Sequence, residues 1–141
     1  MKKVIVFLMC VFSVTAAMSA EPTCNGGILI TAHKATDEGC SATTCNGHEF
    51  CKSDKLMNWW SAFTWCESQN RKLADFSKMC PNTLQSPTGT AGNCPNLQGK
   101  ESGWGWSSLV YDSERAFVVE FSSGAVYFGA RTNVTNYALC E

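Results

Sequence analysis

The chain has 141 residues, 11 basic against 12 acidic side chains, a formal net charge of −1 and nine cysteines. Its length fits one domain of ordinary size. A near-neutral chain without a basic run lacks the electrostatic footprint that nucleic acid or an anionic membrane requires, so neither partner is expected.

The first predicted element is an address. Lys2 and Lys3 precede the apolar run 4–14, and Ala17, Ser19 and Ala20 fit a small-residue cleavage site. This predicts a signal peptide over residues 1–20 and a mature start near Glu21. The run is short for a membrane anchor and no later segment approaches spanning length, so no membrane insertion is expected after cleavage. Without Lys2, Lys3 and Cys10, eight cysteines remain, with nine basic against twelve acidic groups. An even cysteine number in a short exported chain implies an oxidising location, secreted, periplasmic or at the cell surface, and up to four disulfides.

Residues 21–56 read as a cysteine-rich N-terminal hairpin. The runs GILITAH (27–33) and HEFCKS (48–53) predict two short strands around a loop holding Cys40 and Cys45. Its four cysteines admit three pairings. Closing the hairpin base favours Cys24 with Cys51, and closing the loop favours Cys40 with Cys45. Cys40, Cys45, His48 and Cys51 are also close in sequence. They lack the C-x2-C knuckles of structural zinc sites and export favours disulfides over thiolates, so no metal is expected.

Residues 57–141 form the predicted core region. Trp59, Ala62, Phe63 and Cys66 fall at i, i+3, i+4 and i+7, the apolar stripe of a helix. Asn58 suits its N-cap and Asn70 the left-handed turn at its end. Trp60, about 100° around the helix from Trp59, is the one ring with no predicted place inside. The run Leu73–Phe76 then enters the core. Residues 81–103 are a loop by composition, which a Cys80–Cys94 bridge would pin, contributing roughly 3 kcal/mol in the loop-entropy model. From Trp104 the pattern changes to strands, WGWSSLVY, RAFVVEF, AVYFGA and NYALCE. These predict a small antiparallel sheet, with its firmest hairpin around Ser122, Ser123 and Gly124.

These residues carry a resemblance. Trp59-x2-Ala62-x2-Trp65-Cys66-x3-Asn70-x2-Leu73-Ala74 resembles the first-helix signature of the C-type lectin-like domain, and the terminal YALCE resembles that family's last strand. Trp104-Gly105-Trp106 matches its Trp-containing central strand more loosely. The pieces span residues 24–141. The resemblance implies an α+β, disulfide-stabilised domain with small antiparallel sheets, one main helix, a short second helix and a Cys66–Cys140 bridge. The Glu-Pro-Asn or Gln-Pro-Asp triplet and the Trp-Asn-Asp triplet of calcium-dependent sugar-binding members are missing, and the segment between Trp106 and Phe117 is too short for their long loop. The likeness is to the compact form, as in bacterial surface and adhesin-type members. Calcium needs six to eight oxygen ligands, whereas this segment offers only Asp112 and Glu114, with Arg115 beside them.

Catalysis is not expected, since no Ser or Cys lies in a nucleophile motif, both histidines fall in the hairpin region, and every mature cysteine has a disulfide candidate. No cofactor is expected either. The expected function is recognition of an extracellular protein or glycan without calcium. The alternative is a disulfide-stapled structural subunit of a surface appendage or envelope assembly. Candidate ligand residues are Trp106, Tyr111, Asp112, Arg115, Arg131, Asn133 and Tyr137, because aromatic faces stack on sugar C–H surfaces and Arg forms forked hydrogen bonds. Asn133-Val134-Thr135 is also a glycosylation pattern, which implies an exposed loop where the host modifies such sites. The ligand search is thereby directed away from the helix, to the loops and strands after Trp104.

Overall fold

Asn58 starts the helix as its chemistry predicts. In the computed structural model, α1 spans Trp59–Ser68. Asn58 Oδ1 accepts the Ser61 N–H at 2.8 Å, giving a first-turn donor a partner. At the other end Asn70 takes φ +55°, a conformation asparagine tolerates better than most residues, and Arg71 N–H turns back to the Cys66 carbonyl. The structure describes residues 20–83 and 89–141; the predicted signal peptide, Ala20 apart, lies outside them, as does part of the 81–103 loop.

Six strands accompany α1 and a one-turn α2 (Phe76–Met79): β1 (Gly27–Thr31), β2 (Glu49–Met57), β3 (Trp104–Val110), β4 (Arg115–Glu120), β5 (Ala125–Ala130) and β6 (Asn136–Cys140). Small separate antiparallel sheets were expected, but the strands form one sheet in the order β1-β2-β6-β3-β4-β5. The difference lies in β6, which enters between β2 and β3, antiparallel to the first and parallel to the second. Periodicity finds strands and says nothing of their partners. The position follows from burial: consecutive Ala138, Leu139 and Cys140 are fully buried, which only a strand covered on both faces can achieve.

Two cores therefore flank the sheet. On one face Trp59, Ala62 and Cys66 of α1 pack with Trp106, Val118 and Ala138. On the other, Phe76 and Met79 of α2 and Leu97 pack with Phe117, Val119 and Phe121. β4 serves both cores because successive side chains point to opposite faces. Gly124, at φ +67°, closes the β4–β5 hairpin, and its N–H donates to the Glu120 carbonyl at 2.8 Å.

Four disulfides staple these layers: Cys24–Cys51, Cys40–Cys45, Cys66–Cys140 and Cys80–Cys94. Cys40, Cys45 and Cys51 are thus held in bridges rather than offered as thiolates. Buried Asn96 adds a polar staple that nothing in its loop-like context announced. Its Nδ2 donates to the carbonyls of Lys78 and Met79, its Oδ1 accepts from Asn46 N–H, and its own carbonyl accepts from His33 N–H. One side chain and its carbonyl thereby join the hairpin loop to the end of α2.

Two stability measurements test this frame. Cys66–Cys140 spans 74 residues and Cys40–Cys45 spans five. Loop entropy makes the first worth about 4 kcal/mol and the second about 2, so denaturant titration of the paired Cys→Ala variants should show the larger loss for the first. A Cβ at Gly105 would lie 2.4 Å from the Phe121 ring. G105A should therefore lower stability by about 1–3 kcal/mol in the same titration, an overpacking cost that outweighs the entropy gained by removing a glycine.

Candidate ligand-binding surface

The β3–β4 turn is built by one carboxylate. Asp112 Oδ1 accepts the backbone N–H groups of Glu114 (2.9 Å) and Arg115 (2.8 Å), while Oδ2 accepts Arg115 Nε at 2.7 Å. The Arg115 side-chain hydrogen bond, followed by the Glu114 backbone bond, holds the Asp112 carboxyl below the ordinary aspartate range. Arg115 is raised in turn by its bond to Asp112.

This pair fixes the guanidinium over two aromatic rings. Tyr111 and Phe128 stack at 4.9 Å with planes 5° apart, and the Arg115 guanidinium carbon lies 4.8 Å and 4.2 Å from their centroids. The rings remain 43 % and 39 % exposed. A flat aromatic pair beside a held cation can pack against C–H surfaces and attract acceptor groups. Both Asp112 oxygens are engaged within the turn itself, one by two backbone N–H groups and the other by the Arg115 guanidinium.

Arg131 occupies the opposite face at the same end of the sheet. Its guanidinium carbon lies 4.8 Å from the Trp60 ring and 5.0 Å from Trp59, and the side chain donates to the Ser113 carbonyl. Its backbone N–H donates to the Glu114 carbonyl and its carbonyl accepts Trp59 N–H, tying α1 to the turn. Beside it a recess of about 440 Å³ is lined by Trp60, Ser113, Glu114, Ala130, Arg131 and Thr132. Trp60, 55 % exposed, also forms a wall of a shallow groove of about 650 Å³ between α1 and the end of β2.

The seven candidate residues are thus divided. Tyr111, Asp112 and Arg115 form one patch, with Arg131 and exposed Asn133 near the same turn. Tyr137 lies elsewhere, under the Lys52 ammonium at 3.9 Å. Trp106 is corrected: it is fully buried, its Nε1 donates to the Met57 carbonyl at 2.8 Å, and its ring lies over Gly129, where there is no side chain to obstruct it. A side chain so enclosed is part of the core and offers no surface for binding.

Phe128, Tyr127 and Trp60 are exposed aromatics that the sequence-based set omits. The alternation that buries Val126 also assigns Phe128 to the α2 face, and strand position was the available signal. Trp60 is the ring outside the apolar stripe of α1, and that position on the helix is its sequence signal. Neither a protein-family model nor a curated protein matches the chain.

The turn yields a prediction with a definite sign. A carboxyl whose folded pKa is depressed stabilises the folded state above its unfolded pKa, and that contribution is lost as pH falls through the folded value. Carboxyl NMR should find Asp112 titrating below the ordinary range, and R115Q should move its midpoint up.

Proposed function

We propose that this chain is an exported, non-enzymatic recognition domain with a compact C-type lectin-like fold, which binds a glycan or protein outside the cell without calcium. The fold reading rests on α1 with its Trp59–Cys66 stripe, the bridge from Cys66 to Cys140 in the last strand, and Trp106 in a central strand. Four disulfides fit an oxidising location, and among the described residues no helix is long and apolar enough to cross a membrane.

The observation that carries the binding reading is the Tyr111–Phe128 stack. Stacked rings normally gain by burial in a core, yet Tyr111 on the β3–β4 turn and Phe128 on the neighbouring strand β5 stay exposed, beside a cation and a carboxylate that hold each other in place. Rigid aromatics with a fixed Arg have the composition of binding hot spots. The alternative, a structural subunit, draws support from a different feature, the open edge at β1.

Binding of the purified chain to glycan and host-surface-protein arrays tests the proposal. Saturable binding that survives EDTA and falls about tenfold or more in Y111A/F128A, with the disulfides intact, is the expected result. Loss of binding in EDTA, or an unchanged double variant, overturns it. A null on both arrays with oligomers on sizing favours the structural subunit.

A further inference from the structure

The outer edge of β1 is an unpaired template. Gly26 carbonyl accepts Asp54 N–H at 3.0 Å and Ala32 N–H donates to the His48 carbonyl at 2.8 Å, so the even-numbered backbone groups turn inward to β2. Those of Gly27, Leu29 and Thr31 turn outward, because strand residues alternate in the direction of their hydrogen-bonding groups. β1 has β2 as its only strand partner among the described residues. The open stretch is bounded at both ends: Asn25 N–H is taken by Gln69 Oε1 at 2.7 Å, and His33 N–H by the Asn96 carbonyl at 2.9 Å.

Proteins usually guard such an edge with a charge, a proline, a bulge or a covering segment. GILIT has no charge and no proline, and its pairing with β2 is regular. Ile28 and Leu29 are instead 45 % and 54 % exposed.

We propose that β1 pairs antiparallel with β1 of a second copy of this chain, in the register that sets Leu29 opposite itself. The arrangement of the edge favours this occupant. Three outward residues are centred on Leu29, so the two-fold register joins Leu29 to Leu29 and Gly27 to Thr31 of the second copy. Every outward N–H then meets a carbonyl. Leu29 is covered by its own counterpart on one face, and Ile28 lies across from Ile30 of the second copy on the other. No charge opposes this pairing, and none selects a charged foreign strand instead. The contact is isologous and closes as a dimer.

The dimer leaves the candidate ligand surface free, since β1 and β5 are opposite edges of the sheet. Eleven strand spacings would separate the two β5 strands by roughly 50 Å, presenting two Tyr111–Phe128 patches from one rigid body. The pairing holds whether or not those patches bind a ligand.

Sedimentation equilibrium and cross-linking test it on the purified chain. The wild type should show a reversible monomer–dimer equilibrium, and L29K, which sets two ammonium groups on the two-fold axis, should weaken association about tenfold or more with the four disulfides intact. The register is read by cysteine. Residues opposite each other in a hydrogen-bonded pair have Cα atoms about 5.5 Å apart, within disulfide reach, so L29C should form a covalent dimer under mild oxidation while I28C links poorly. A wild type that remains monomeric at every concentration overturns the proposal. So does L29K associating as the wild type does, or I28C linking as readily as L29C.

Discussion

The placement of β6 in the middle of the sheet is the constraint on which the rest depends. The last strand pairs with β2 from the first part of the chain and with β3 from the second, so neither half completes its sheet without the C-terminus. Its residues Cys140 and Leu139 serve opposite faces, one bridged to α1 and the other packed in the α2 core. Such contacts close long loops at an entropic cost that a domain of this size offsets with difficulty. The Cys66–Cys140 bridge reduces that cost by limiting the unfolded chain.

Covering the sheet on both faces determines where recognition chemistry can lie. Trp106, Phe117, Val119 and Phe121 are consumed by the cores. Exposed aromatic surface remains where the sheet runs past its covering layers, at the β3–β4 turn, at the end of β5 and on the outer flank of α1. Tyr111, Phe128 and Trp60 occupy those three places, and Tyr127 adds a fourth exposed ring on the other face of β5, beside Trp104. Arg115 and Arg131 stand on opposite faces of this end, each against a pair of rings, so the rim has two differently shaped aromatic–cation sites.

Local physics made α1 legible in the sequence: the 3.6-residue stripe, the Asn58 cap and the Asn70 turn are all short-range signals, as is the Gly124 hairpin. The four bridges join the cysteines that hairpin closure, loop closure and the family resemblance paired. The topology was not legible, because the run NYALC has the same apolar look at an edge or in the centre. Trp106 failed as a candidate for a related reason. Strand period assigns a face, and when both faces are buried the face no longer separates core from surface. Asn96 failed for the opposite reason: its turn-rich context reads as solvated loop, and its four hydrogen bonds exist only once distant segments meet.

The Asp112–Arg115 pair acts through geometry more than through stability. Both side chains are substantially solvated, where screening and side-chain entropy leave an ion pair little net worth. Its effect is instead to place a long cationic side chain before any ligand arrives. A free arginine would lose rotamer freedom on binding, whereas one already clamped by a carboxylate and laid over two rings has lost much of it on folding. Asp112 also fastens the turn through two backbone N–H groups, so the carboxylate that orients the cation also positions Tyr111. Under the proposed recognition role such a surface needs no large loop to be ordered, because one short turn supplies its charge and its rigidity and, with Phe128 of β5, its flat face.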